Sequence, residues 1–432
     1  MASREHSHEG SEKKLNRDGK LKVIIIGGSI CGLCCAHAFL KSGVCSSLVV
    51  LEKASSLTAA GAGLGIDERS IQALEDWGLR DELFRHTLPL YCDQTRAKEQ
   101  GICVTLSRDD DFRHQAVHWG DLHQVLYDAL PSGIVHLGHD VISLKENEDH
   151  SSVRVSVSVA SRAEGEEKPT ASTIEEVYGD LVVAADGSMS RTRMMYSPSP
   201  PRRYSGYCAW RGVLDYTDLP QVYDEVKKEF PGIGETLFFE LARCTHSVLY
   251  ELKGNRLNWL WYVNQPEPEL QGNSLTKHPD KETIEGMYIA ADRTWMPALA
   301  QVMKLTPKPF INAIYDRDPL KQLAWGRVVL VGEAAHPTTP HGLRSTNMSI
   351  VDAHTLGKAF EKWGPDSIIA ALTEYESERL PVTTQQVLFS RYLGQVKQGL
   401  LFEPKGSFPW PTADKKMREG LLIRNMHSFQ MA

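Results

Sequence analysis

The spacing of apolar and polar positions changes several times along the chain, and each change marks an element. Lys20 to Ile26 (KLKVIII) is an apolar run of buried-strand length. Gly27 to Gly32 reads as a tight turn, and Leu33 to Lys41 as a helix with an apolar face, ended by Ser42-Gly43. Ser47 to Glu52 is a second strand, so this stretch predicts a strand–helix–strand unit whose crossover requires a parallel sheet. Ile71, Leu74, Leu79 and Leu83 predict a helix over 67–86, and a further helix is expected over Leu122 to Leu130. SSVRVSVSV at 151–159 alternates strictly, as a strand with one wet face does. The polar stretch 161–176, with its Gly and Pro, predicts a surface loop, and Val177 to Ala185 a returning strand. Residues 204–325 are rich in aromatic and β-type residues, LNWLWYV at 257–263 among them, and predict a second, sheet-containing domain. Val328 to Val331 is a buried strand, 347–361 a helix, and 366–400 a helical segment broken at Pro381.

Composition narrows the class. A chain of 432 residues with 41% hydrophobic content holds more than one domain's worth of core. The net charge of -7 and the lack of a basic block argue against a nucleic-acid partner. The eight cysteines include no second C-x-x-C that would complete a zinc site, so no metal is expected, and reduced thiols in the cytoplasm are the default. Residues 1–19 mix acids and bases and predict a disordered tail rather than a transit peptide. Val23 to Leu40 is apolar over nearly a membrane-spanning length, but three glycines and His37 interrupt it, so turn chemistry is preferred to a membrane anchor.

The turn carries the first candidate chemistry. Gly27, Gly28 and Gly32 lie between a strand and a helix, where small residues let a pyrophosphate approach unpaired N–H groups at the positive end of the helix dipole. Glu52 follows Gly32 by 20 residues, at the end of the second strand, the spacing of a ribose-binding acid. Ser29 replaces the second glycine of the G-x-G-x-x-G pattern. Cys31 and Cys34 form a C-x-x-C at the helix start. A redox role is conceivable there, and packing of small apolar side chains is the preferred reading.

Two later strand ends add to this. DLVVAADGSMSRTR (180–193) ends a strand in Asp186-Gly187. GRVVLVGEAAHPTTPHGLRSTNMSIVDA (326–353) ends another in Gly332-Glu333 and leads through a loop into a helix. In this order the three motifs resemble the single-component, group A FAD-dependent monooxygenases of the para-hydroxybenzoate hydroxylase fold. TAAGAGLGID (58–67), YSGYCAWRG (204–212), HPTTPHGLRSTNMS (336–349) and RLPVTTQQVLFSR (379–391) resemble most the plant zeaxanthin epoxidase-like members.

The resemblance implies an α/β fold: a Rossmann-like FAD-binding domain (20–203 and 326–365), an inserted mixed or antiparallel-sheet substrate domain (204–325), and a C-terminal helical segment and tail (366–432). It implies that Gly27, Gly28, Ser29, Ile30, Cys31 and Gly32 hold the FAD pyrophosphate, and that Glu52 and neighbouring Lys53 meet the adenosine ribose. Asp186 and Gly187 would serve both FAD and the pyridine nucleotide. Gly332 and Glu333, the latter in place of the family's Asp, would reach the ribityl or pyrophosphate. Gly61, Ala62, Gly63, Pro340, Gly342, Arg344, Ser345, Thr346 and Asn347 would surround the flavin ring. Trp119, in HWGDLH, stands where relatives carry an FAD-binding Arg. Arg211 and His341 are the candidates for substrate contact or catalysis, while His336 reads as a structural hydrogen-bonder and Trp210, Trp259 and Trp261 as core. The implied activity uses NADPH or NADH and O2 to pass one oxygen atom, through a flavin C4a-hydroperoxide, to an electron-rich aromatic or isoprenoid-like alkene. An FAD oxidase or reductase without oxygen transfer, and a flavin-binding scaffold, are the alternatives.

Overall fold

A computed structural model describes residues 19–57, 61–99, 102–161, 171–198, 200–270, 274–401, 408–409 and 411–422. The expected tail therefore lies, save for Gly19, outside the described residues, as do Thr58–Ala60 and the very C-terminus.

The first strand, Leu21–Ile26, sits inside a six-stranded sheet, flanked by Cys45–Glu52 and Leu181–Ala184, with Val328–Leu330 beyond the latter. All these pairings are parallel, and the run from Val23 to Leu40 is divided between this strand and the first helix, Ile30–Ser42. Among the described residues no helix is long and apolar enough to cross a membrane. The helix begins three residues earlier than its apolar spacing suggested, because Ser29 is extended and ends the turn at once; Gly43, at φ 68°, closes it in the left-handed region. Phe39 packs on Phe360 (5.2 Å between ring centres), joining the first helix to the long helix Arg344–Trp363. Cys31, Cys34 and Cys35 are buried in this layer. Burial lifts the Cys34 thiol well above its ordinary value, and a hydrogen bond with Cys35 plus burial does the same for Cys31, so these thiols serve packing.

Several boundaries differ from expectation. The helix expected over 67–86 is two, Glu68–Asp76 and Arg80–Arg85, separated at Gly78, whose φ of 79° no continuing helix allows. Residues 171–176 belong to a strand, Ala171–Gly179, paired with Val153–Ser161; Thr173, Ile174 and Val177 supply its β-branched positions. The chain then enters the parallel sheet as a separate strand, Leu181–Ala184. The 30-residue helix Ile368–Lys397 runs unbroken through Pro381. An interior proline disfavours a helix by about 3 kcal/mol; here Arg379 and Thr383 on either side are buried and hydrogen-bonded, which holds the helix together.

The aromatic-rich segment forms an eight-stranded sheet in the order Thr276–Lys277, Phe310–Asp316, Arg203–Asp215, Arg256–Asn264, Thr245–Leu252, Thr236–Ala242, Cys92–Glu99, Ile102–Asp109. Its last two strands come from residues 92–109, far earlier in the chain, and Cys92–Glu99 joins Thr236–Ala242 in parallel. One face of this sheet points at the first domain's loops. The other carries Trp210, Trp259 and Trp261 into a core with Trp295, Leu299 and Met303, as the packing reading of those tryptophans required.

Candidate active site

At the first turn, Gly27 has φ +101°, and a Cβ on it would lie 2.5 Å from the Ala185 carbonyl oxygen. A Cβ on Gly32 would lie 1.8 Å from the Gly27 carbonyl oxygen. The turn is thus closed on itself and on the end of the third parallel strand, which only glycine permits. Ser29 gives the helix no side-chain cap, leaving its first N–H groups for a ligand. Glu52 stands beside the turn: its Oε2 accepts from the Gly28 N–H (2.7 Å) and its Oε1 from the Ala54 N–H (2.8 Å). A carboxylate has about four lone-pair sites, so each oxygen retains one for a ribose hydroxyl. Lys53, next along the chain, is exposed.

A continuous cavity of about 390 Å³ runs from this turn to the large sheet. At one end it meets Ser29, Ile30 and Cys31. It passes Gly187 and Glu333 at two strand ends, then Pro340, Gly342, Arg344, Ser345 and Thr346 in the loop and first turn of the long helix. Gly63 and Trp119 form a side wall, and Arg211, Phe239, His246, Tyr250, Tyr262 and His341 line the sheet end. Sequence-separated motifs are therefore brought to one space; Gly27, Gly28, Gly32, Glu52, Lys53 and Gly332 do not line it themselves, and the remaining exceptions are these. The Asp186 carboxylate is turned into the start of helix Arg191–Tyr196, accepting from Ser190 Oγ (2.6 Å) and the Thr192 N–H (3.1 Å). Gly61 and Ala62 lie behind Trp119, whose N–H donates to the Ala62 carbonyl (3.1 Å). Asn347 works as a brace: its Nδ2 donates to the carbonyls of Gly65 (2.8 Å) and Leu343 (2.6 Å), and its Oδ1 accepts from the Asp67 N–H (3.0 Å).

Arg344 lines the cavity, but its Nη1 is 3.1 Å from Asp67 Oδ2. Burial alone would raise the Asp67 carboxyl; the Arg344 guanidinium and the Ser70 amide bring it below its ordinary value, so the pair stays ionic. Glu333 accepts from Ser345 Oγ (2.6 Å), a contact its extra methylene lets it reach. Trp119 stacks on His123 (4.8 Å, 16°), and His123 Nε2 donates to the Gly28 carbonyl (2.8 Å), so the residue in place of the family's Arg buttresses the turn.

Sequence reasoning missed a second set of residues. Asp352 is fully buried; its Oδ2 accepts from the Gly332 N–H (2.9 Å) and from His336, and its Oδ1 from Arg379 Nε (2.7 Å). His336 is thus the structural hydrogen-bonder its position suggested. At the sheet end, His246 stacks on Tyr262 (4.3 Å, 9°) and lies 5.1 Å from His341. Burial brings His246 down to about 3, with the Lys397 charge adding; burial, His246 and Lys397 take His341 well below its ordinary value. Both rings are neutral near pH 7, so His341 does not titrate in the range where a catalytic histidine exchanges protons. No local pattern announces His246, Tyr250 or Lys397; only their meeting in the sheet does.

The glycine-closed turn, the carboxylate beside it and a cavity leading to an aromatic-walled sheet fit a dinucleotide-dependent oxidoreductase with a built-in substrate chamber. The family known as the FAD binding domain matches residues 20–228 and 313–390, and the chain belongs to it. It is similar to 3-amino-4-hydroxybenzoate 2-monooxygenase of Streptomyces cremeus (27% identical, over 85% of each chain). It is also similar to 6-hydroxynicotinate 3-monooxygenase of Bordetella bronchiseptica (26% identical, over 84% of this chain and 88% of the other). Its fold matches Klebsiella pneumoniae HpxO complexed with FAD and uric acid (TM-score 0.74, 22% identity, 95% and 96% of the two chains). The protein is an FAD-dependent monooxygenase of the aromatic, group A kind, and NAD(P)H is its electron donor.

Proposed function

We propose that the substrate is a small, electron-rich aromatic compound bearing an acidic group, bound at the sheet end of the cavity with the acid toward Arg211. The observation that carries this reading is Arg211 itself: it lines the cavity, and its Nε is buried with no hydrogen-bond partner among the described residues. Around it stand Tyr250, Tyr262 and the two neutral histidines, which offer hydrogen bonds and stacking faces but no competing charge. Such a lining suits an aromatic acid better than an isoprenoid hydrocarbon, which would leave Arg211 buried and unpaired. The aromatic acids named for the two relatives point the same way.

In this reading the turn Gly27–Gly32 receives the FAD pyrophosphate, Glu52 the ribose, and the 340–346 loop the flavin ring, with the first N–H groups of the long helix facing developing negative charge on the ring. Bound FAD supplies the redox and oxygen chemistry; the chain's part is to orient the substrate and exclude water around it. Residues 20–91, 110–203 and 326–365 form the cofactor part, and 204–325 together with 92–109 the substrate part. The phrases at 58–67, 204–212, 336–349 and 379–391 support kinship with the plant zeaxanthin epoxidase-like branch, and the thiol-rich, disulfide-independent composition supports a cytoplasmic enzyme.

The test is NADH and NADPH oxidation by the FAD-loaded protein with hydroxybenzoates, aminobenzoates and neutral terpenoids, with product and peroxide both measured. Oxygenated product from an aromatic acid is expected. Peroxide alone across the panel would support an oxidase, and turnover of terpenoids but not aromatic acids would reject the substrate assignment.

A further inference from the structure

Lys397 ends the helix Ile368–Lys397, is 2% exposed, and has no hydrogen-bond partner for its Nζ among the described residues. A buried ammonium without hydrogen bonds is costly and rarely retained without a purpose. Its Nζ lies 3.3 Å from the centre of the Phe239 ring, and Phe239 lines the sheet end of the cavity together with Arg211, His246 and His341. A cation held against that ring places positive potential behind an aromatic wall of the chamber. The neighbouring residue, Gln398, accepts from His246 Nδ1 (2.7 Å), so the same helix end also fixes the ring beside it.

We infer that Lys397 is a positioning residue for substrate choice: acting through the Phe239 ring, its charge adds to that of Arg211 and fits the chamber to an aromatic anion in preference to the neutral compound of the same shape. This rests on the reading of the sheet end as the substrate site. The titratable groups that act on Lys397 or feel its charge are Asp93 on Cys92–Glu99, His246 on Thr245–Leu252 and His341 in the loop before the long helix. The histidines are neutral, and Asp93 favours the ammonium. Burial nonetheless brings Lys397 down to about 8, so its charge is present below that pH and lost above it.

The experiment is a titration of the FAD-loaded enzyme with hydroxybenzoates and the matching hydroxybenzamides, read by the change in flavin absorption from pH 6.5 to 9.5 (roughly one and a half units either side of that value). The wild type should prefer acid to amide by about tenfold or more, and the preference should fall as pH passes about 8. Lys397→Met should lose a several-fold part of the preference, the remainder staying with Arg211, and should lose its pH dependence while binding the amide as before. Lys397→Arg should keep the preference and lose the pH dependence, because arginine stays charged throughout. Should Lys397→Met fail to fold, the comparison of wild type with Lys397→Arg decides. A Lys397→Met enzyme with unchanged preference, or a wild type whose preference is flat with pH, overturns the proposal and leaves the aromatic-acid reading standing. A wild type that binds neither acids nor amides but does bind neutral terpenoids overturns both.

Discussion

Asp352 joins three elements, and its replacement is the sharpest test of how the cavity is held. Its two oxygens receive the Gly332 N–H, His336 and Arg379, tying the strand-end turn, the long helix and the helix Ile368–Lys397 together. Asp352→Asn keeps the shape but removes the charge. Whichever way the amide turns, its NH2 faces a donor, and Arg379, 5% exposed, loses its buried counter-charge. Removing one member of a buried ion pair destabilises by about 3–5 kcal/mol, and that is the loss expected in urea unfolding of the FAD-loaded enzyme. Because Glu333, which follows Gly332, lines the cavity, the variant should also emerge from gel filtration with less bound FAD. The pH course follows from the carboxyl. Burial alone would raise it, but His336 and then Arg379 bring it well below the usual carboxylate range. A depressed carboxyl contributes fully above its unfolded value of about 3.9 and loses that contribution as pH falls toward the folded value. The gap between wild type and variant should thus be level from neutrality down to about pH 5 and narrow below about 4. A destabilisation under about 1 kcal/mol with full FAD content would refute the argument that Asp352 clamps this site.

Three further outcomes follow from the geometry. Gly32→Ala would place a methyl 1.8 Å from the Gly27 carbonyl oxygen, so the variant should be purified without its flavin spectrum; full FAD occupancy would show that the turn is not the pyrophosphate site. Arg211→Gln should raise KM for an aromatic acid by about tenfold to a hundredfold, the worth of a charge-assisted hydrogen bond, with flavin content unchanged; an unaltered KM would remove Arg211 from the substrate site. Trp119→Arg should tighten FAD binding several-fold and make it more salt-sensitive in isothermal titration, as the family's usual residue implies, and weaker binding would mean that Trp119 is needed to back His123 against Gly28.

The parts legible in the sequence were those whose chemistry is local. A strand, a glycine turn and a helix within some thirty residues leave a readable trace, as does Glu52 at its fixed spacing. The long helix was expected over 347–361 from a strand end and a Pro- and Gly-containing loop; it starts three residues earlier, at Arg344. What escaped depends on distant partners. Nothing near residues 92–109 says that they add two strands to a sheet formed mainly after residue 203. Ala171–Gly179 was obscured by the polar Gly- and Pro-containing stretch before it, although the β-branched Thr173, Ile174 and Val177 were present. Pro381 read as a break because a proline's local preference is visible and the packing that overrides it is not. Lys397 looks like any lysine near a helix end; its burial arises only where the helix Ile368–Lys397 meets the large sheet.

The parallel pairing of Cys92–Glu99 with Thr236–Ala242 has a consequence during synthesis. The early hairpin leaves the ribosome with one edge open, and the strand that covers it arrives roughly 140 residues later. At bacterial-to-eukaryotic elongation rates that is a wait on the order of ten seconds, during which an unpaired edge invites pairing with other nascent chains. Truncations ending before residue 236 should accordingly aggregate, and grafting 204–325 from a relative without also exchanging 92–109 would set a foreign strand against this hairpin.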